Sequence, residues 1–156
     1  MRLKKIIKQL EGKFPLELAE EWDNVGLLLD STRREIKSIM LCLDITRDVV
    51  DKAVANKVDL IISHHPFIFS PLKKITTDEV NGEKILKLAR NNIAVYSMHT
   101  NIDSGIGGLN DFIIKKIGQE GKVFAISDNR SIELRKLVTS DLIDAKDKII
   151  NPLRIQ

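Results

Sequence analysis

Val58-Asp59-Leu60-Ile61-Ile62-Ser63-His64-His65-Pro66 decides the architecture. A short apolar run that stops on polar residues and proline reads as a strand buried on both faces. Upstream, Ile36 to Leu43 reads as a second strand of the same kind, and Thr46 to Asn56 as a helix between the two with Thr46 as its N-cap. Strand, helix and strand make a βαβ unit. Downstream, Asn81 to Asn91 repeats the helical period through Ile85, Leu86 and Leu88, and Ile93 to Tyr96 returns as a third strand. The expected class is α/β, a mostly parallel sheet with helices on both faces and three or more strands from βαβ units, joined by right-handed crossovers.

Farther out the signals thin. Leu3, Ile6, Ile7 and Leu10 fall at helical spacing, with Gly12 as a stop. Phe14 to Asp30, holding Pro15, Gly26 and the only tryptophan, reads as a turn feeding a short apolar edge segment. Trp22 is expected in the core in preference to an interface shared with Val25 to Leu29. Gly107-Gly108 opens a further helix, Leu109 to Ile117, ended by Gly118. Beyond Glu120 the period weakens, with Lys122 to Ile126 a candidate strand and Ser131 to Ile150 without a clean pattern. Residues 1–120 are therefore expected to form the α/β domain, and 121–156 a divergent or truncated C-terminal segment of it.

Composition bounds the function. The chain has 156 residues, 43% hydrophobic and 30% charged, with a mean hydropathy of -0.09. Such a chain can bury roughly two-thirds of its unfolded surface without a disulfide or structural metal. Its apolar runs fall well short of the roughly 18 residues that span a membrane, so no membrane partner is expected. Lys8, Glu11 and Lys13 break any signal-peptide core behind the basic start, which predicts a mature cytoplasmic N-terminus. One cysteine, Cys42, among Ile39, Met40, Leu41 and Leu43, reads as an inert buried thiol in a reducing compartment. The formal charge is +3, but the basic residues are scattered among acids, which disfavours a nucleic-acid footprint.

Ligands of an open α/β sheet belong at the carboxyl ends of its strands. Three places qualify: Asp44, His64-His65, and Met98 to Asp103, and together they contain every histidine of the chain. Adjacent side chains on a regular strand point to opposite faces, so His64 and His65 serve one site only where the strand ends, and Pro66 supports that stop. Two diverging imidazoles suit two neighbouring metal ions, one each. His99 adds a third imidazole, open between ligand and partner of a ligand. Asp103 adds a carboxylate, read as a ligand in preference to a helix-start residue. Histidine with carboxylate suits Zn, Fe, Mn, Co or Ni and does not choose among them. Asp44 and Thr100 are rim candidates able to orient water or substrate. Ser104-Gly105-Ile106-Gly107-Gly108-Leu109-Asn110 misses the dinucleotide fingerprint at its last glycine. Gly107 and Gly108 still offer backbone N–H groups to an anion at a helix start, although a simple tight turn is the better reading.

Four stretches in order carry a resemblance: Glu21-Trp22-Asp23-Asn24-Val25-Gly26-Leu27-Leu28-Leu29; Leu43-Asp44-Ile45-Thr46; Ile61-Ile62-Ser63-His64-His65-Pro66; and His99-Thr100-Asn101-Ile102-Asp103 with Gly107-Gly108-Leu109-Asn110. Over about residues 1–120 the chain resembles the Nif-three-like dinuclear metal centre family, whose members are commonly named GTP cyclohydrolase type 2 homologues. The resemblance implies His64 on one metal ion, His65 on the other, and Asp103 completing one sphere. It also implies a hexameric toroid, a homo-oligomer with its metal pairs facing the interior. The implied activity is a divalent-metal-dependent hydrolase with metal-bound water as nucleophile and a nucleotide as substrate. The rival expectation is a non-catalytic metal-binding assembly or regulatory protein. The family's complete site holds two divalent ions and draws a histidine and a bridging glutamate, four residues apart, from near the end of a longer chain. Here no histidine follows His99, and Glu120 and Glu133 are the only later glutamates. A truncated or divergent C-terminal region is therefore expected in preference to ligands borrowed from another subunit, with one ion or none held by this chain alone.

Overall fold

The computed structural model describes residues 1–33 and 35–117. Met1–Gly105 forms one compact unit, and the described residues from Ile106 onward belong to a second. The candidate strand at Lys122 to Ile126, the Gly118 stop and the segment 121–156 lie outside the described residues.

The first unit is built on a four-stranded sheet: β1 (Gly26–Leu29), β2 (Ile39–Cys42), β3 (Leu60–Ser63) and β4 (Ala94–Ser97), in the spatial order β1-β4-β3-β2. β2, β3 and β4 are parallel, with Leu60 opposite both Ile39 and Ala94. β1 is an antiparallel edge strand on β4, entered through Gly26 at a φ of 100°. That backbone region is open to glycine at no steric cost. The helices are α1 (Leu3–Lys13), α2 (Arg47–Ala55), α3 (Val80–Arg90) and the short α4 (Thr100–Ser104), with a 3-10 turn at Leu16–Leu18. As the sequence predicts, Thr46 caps α2, its hydroxyl accepting the Val49 N–H at 3.2 Å.

The period of two along the strands divides the core. Leu60 of β3 and Ala94 and Tyr96 of β4 face α1, where they pack with Leu3, Ile6 and Phe14. Ile61 and Val95 face the other way, against Val50 and Ala53 of α2 and Ile85 and Leu88 of α3. β3 and β4 are thus covered on both faces, which is why they read as unbroken apolar runs. The edge strand β2 is covered on one: Met40 and Cys42 pack towards α2 and α3, while Ile39 and Leu41 are 47% and 74% exposed. Cys42 is accordingly half-buried, and burial raises its thiol above the usual range, with Asp44 adding to the shift.

The expectation of a core tryptophan is corrected. Trp22 is 60% exposed, its ring 6.1 Å from those of Phe69 and His99. It lies in the turn before β1, outside both layers of the core, so its apolar character signals the rim of the site and not packing.

In the second unit, α5 (Leu109–Ile117) follows Gly107, whose φ is 70°. The Gly107 N–H donates to the carboxylate of Asp111, in the helix's own first turn. The backbone donor offered to an anion by the sequence reading is taken up locally, and Gly107-Gly108 serves as a turn.

Candidate metal centre

The ladder between β2 and β3 runs on past Ser63, as the His64 N–H donates to the Cys42 carbonyl at 3.1 Å and the His65 N–H to that of Leu43 at 3.0 Å. The chain then turns at Pro66, and a chain of hydroxyls fixes the turn from below. Ser97 donates to Ser63 at 2.8 Å and accepts the Phe67 N–H at 3.3 Å, while Ser63 donates to the His65 carbonyl at 2.8 Å. Both serines are buried. Buried hydroxyls that satisfy one another hold a loop more tightly than apolar contacts do, because moving either orphans its partner.

The turn lets both adjacent imidazoles face one site, and β4 delivers the third. One ligand nitrogen from each of His64, His65 and His99 lies within 4.8 Å of the others. The ring centroids are 5.0 Å apart for His64 and His65, 5.1 Å for His64 and His99, and 5.5 Å for His65 and His99.

Each ring is held at Nδ1 by a different acceptor. His64 donates to the Met98 carbonyl at 3.1 Å, His65 to Asp44 at 2.7 Å and His99 to Asp23 at 3.0 Å. With the proton on Nδ1, each Nε2 carries the lone pair, the tautomer a metal ion requires. Asp103, on α4, places a carboxylate oxygen 3.9 Å from His64 Nε2. Three nitrogens and an oxygen make a donor set matched to borderline divalent ions. The nitrogen spacing is on the scale of twice a metal–nitrogen bond of about 2.1 Å. The residues therefore fit a metal.

The electrostatics agree with a neutral His64. Burial pushes His64 below the ordinary imidazole value, and His99 and His65 add to the shift against the opposing pull of Asp103. Burial pushes the Asp103 carboxyl up, Asp23 adding to it, against the lowering effect of His64 and His99. Burial also acts to raise Asp23, but the hydrogen bonds from Thr100 and His99 outweigh it and hold that carboxyl below its usual range.

Asp23 is the residue that the sequence reading passes over. Its side chain is 0% exposed. One oxygen takes His99, and the other takes the Thr100 N–H at 3.0 Å and the Thr100 hydroxyl. Thr100 in turn accepts the Glu20 N–H at 3.0 Å. The hydroxyl read as a rim group is thus engaged in fixing Asp23, and the carboxylate of Asp44 in fixing His65. Both act through a histidine. A clue was present in Trp22-Asp23-Asn24, a carboxylate between two residues that also reach the site region: Trp22 stands beside His99, and the Asn24 amide donates to the Ile68 carbonyl. Gly107 and Gly108 belong to the second unit.

A model of the Duf34/NIF3 (NGG1p interacting factor 3) family matches residues 1–150. The chain is 37% identical over 133 residues to a protein of Clostridium acetobutylicum named GTP cyclohydrolase 1 type 2 homolog, covering 85% of this chain and 50% of that one. It is 42% identical over 117 residues to NIF3-like protein 1 of Drosophila melanogaster, covering 74% and 40%. Among solved structures, a Bacillus cereus protein related to NIF3 superposes with a TM-score of 0.73 at 37% identity, over 80% of this chain and 34% of that one. Reduced HcgD from Methanocaldococcus jannaschii superposes with 0.74 at 29% identity, over 95% and 60%. The chain thus spans half or less of the length of these curated relatives. On the family match over residues 1–150 and the identity to these relatives, the chain belongs to the Duf34/NIF3 family.

Proposed function

We propose that the chain carries the metal-holding part of a divalent-metal-dependent hydrolase of the cyclohydrolase type, the activity that the relatives' names suggest. The observation that carries the reading is the convergence of three imidazole nitrogens within 4.8 Å, every ring anchored at Nδ1. His64, His65 and His99 would hold zinc, iron, manganese, cobalt or nickel, with Asp103 as the carboxylate donor. An ion bound there supplies Lewis acidity towards water and towards the oxygen on which negative charge develops. The protein's own part is orientation. Met98, Asp44 and Asp23 keep the Nδ1 protons in place, and the half-buried setting of His64 and Asp103 limits competing water.

Calorimetric titration with zinc or manganese tests this. Saturable binding to the whole chain, weakened at least roughly tenfold in His64→Ala and in His99→Ala, is expected. Equal binding in the variants would remove the reading. Incubation with GTP and manganese extends it to turnover: ring-opened product made equally well by His64→Ala would place the chemistry elsewhere.

One observation favours a second reading, a non-catalytic metal-binding homo-oligomer, hexameric or smaller. Ile39, Leu41 and Leu43 on and beside the edge strand are 47%, 74% and 58% exposed. An apolar edge of this kind is a ready site for association. A monodisperse monomer in light scattering would remove that version. Among the described residues no helix is long and apolar enough to cross a membrane, and we assign the chain to the cytoplasm on its single half-buried thiol.

A further inference from the structure

Sharing His65 with the imidazole cluster is a cavity of about 550 Å³, inside the roughly 300–1,000 Å³ typical of small-molecule sites. Its lining is mixed in chemistry: Phe67, Phe69 and Leu72 are apolar, and Asp44, His65 and Lys84 are polar or charged. Lys84 comes from the second turn of α3 and is held on two sides, its Nζ donating to the Ile45 carbonyl at 2.8 Å and standing 5.4 Å from the centre of the Phe67 ring.

Neither partner carries a charge that cancels the ammonium. The neighbouring cations are matched: Arg47 pairs with Glu83 at 2.8 Å and Lys87 with Asp51 at 2.6 Å. Asp44, the acidic group of the lining, is engaged by His65 at 2.7 Å. Lys84 makes none of the ion pairs found among the described residues. Burial lowers its ammonium below the ordinary value, Arg47 adding to the effect and Asp44 opposing it. A partly desolvated cation facing a cavity gains most when an anion arrives, because the local dielectric screens the new pair poorly. Its immobilised stem also reduces the entropy lost on binding.

We infer that this cavity is the substrate pocket and that Lys84 receives the phosphate of a phosphorylated small molecule whose other end faces His65. A lysine ammonium is a compact point charge suited to phosphate oxygens. Phe69, 54% exposed at the same cavity, offers a ring face to the non-phosphate part of the ligand. The inference rests on the metal-centre reading only for which end of the ligand meets His65.

The test is calorimetry on the metal-free whole chain, with guanosine monophosphate as probe and guanosine as its uncharged control. The nucleotide is expected to bind the wild type and to bind Lys84→Met roughly tenfold or more weakly, about 1.4 kcal/mol. Lys84→Arg, which keeps the charge but not the compact ammonium, should lose less affinity than Lys84→Met. Guanosine should bind both wild type and Lys84→Met equally and weakly. Equal nucleotide affinity in wild type and Lys84→Met, or no binding to the wild type up to roughly 10 mM, overturns the inference. Zinc titration separates the two proposals: His64→Ala should bind zinc at least roughly tenfold more weakly than wild type, whereas Lys84→Met should bind it within about twofold. A Lys84 effect that persists when zinc fails to bind the wild type would sink the metal reading and leave this one standing.

Discussion

Asp23→Asn tests whether the candidate metal site is held in shape from behind its histidines. The carboxylate divides its work between two oxygens, Oδ1 for the His99 ring at 3.0 Å and Oδ2 for the Thr100 N–H at 3.0 Å and the Thr100 hydroxyl. Asparagine keeps the shape but has one acceptor oxygen, so its NH2 group must face a donor on one side. A hydrogen bond to a buried charge contributes about 1.5–3 kcal/mol, and anchors behind metal ligands are worth about 10–100-fold in affinity. Zinc affinity should therefore fall by about 1.4–2.7 kcal/mol, with a loss of about 1–3 kcal/mol in folding stability. The sign with pH follows from the lowered carboxyl. A group depressed on folding contributes stability that is present above its unfolded value, about 3.9, and is lost as pH falls through the still lower folded value. The wild-type advantage over Asp23→Asn should hold at neutral pH and vanish in strong acid. Zinc calorimetry and urea unfolding measure the two effects. A folded Asp23→Asn protein that binds zinc within about twofold of wild type would refute the reasoning.

Three further outcomes follow from the fold and its edge. Asp59, 5% exposed, accepts the N–H groups of Lys37 at 2.7 Å and Ser38 at 3.1 Å and pairs with Arg33 at 3.1 Å. Burial acts to raise its carboxyl, but these donors outweigh it and hold it low. Asp59→Asn should cost about 1–3 kcal/mol in urea unfolding at neutral pH, a difference that shrinks as pH falls through the folded value. Gly82→Ala would place a Cβ 2.1 Å from the Thr76 carbonyl oxygen and 2.8 Å from its nitrogen. Backbone cannot rotate aside, so a loss of at least about 1–3 kcal/mol is expected in thermal unfolding. Leu41→Glu, at an edge position 74% exposed, should leave monomer stability within about 0.5 kcal/mol and disperse any homo-oligomer in light scattering. Unaltered size of an assembled wild type and variant would clear that face of a role in assembly.

The legible parts of the fold were those where two signals agreed. β3 and β4 are buried on both faces, so their apolar runs were unbroken, and α2 carried both a period and the Thr46 cap. β2 gave the same apolar signal for a different reason. Ile39 and Leu41 are apolar yet exposed, and sequence does not distinguish an apolar residue that is covered from one that awaits cover. Trp22 misled in the same way. At the site, the histidines were legible because strand ends collect ligands and all three of them fell there. Asp23 was not, because it lies 76 residues from His99, and no local spacing rule reaches across a crossover. α4 was missed for a simpler reason: five residues, Thr100–Ser104, are too few to show a period. Its start is fixed by Asp23 capping the Thr100 N–H, a tertiary contact standing in for a local cap.

The three anchors are not equivalent, and their order bears on how the site would close on an ion. His99 rests on a carboxylate that is 0% exposed and itself held by Thr100, while its own side chain is 19% exposed. His64 rests on the Met98 carbonyl, part of the backbone leaving β4 and tied to Ser63 by the Met98 N–H at 2.9 Å. His65 rests on Asp44, and that pair is 45% and 57% exposed. Ion pairs and hydrogen bonds in solvent contribute little and exchange easily with water. His64 and His99 are thus the fixed jaws, set by buried groups, and His65 is the adjustable one. The freedom sits on the same imidazole that lines the cavity holding Lys84. A ligand entering that cavity would meet the histidine whose anchor is the most exposed of the three.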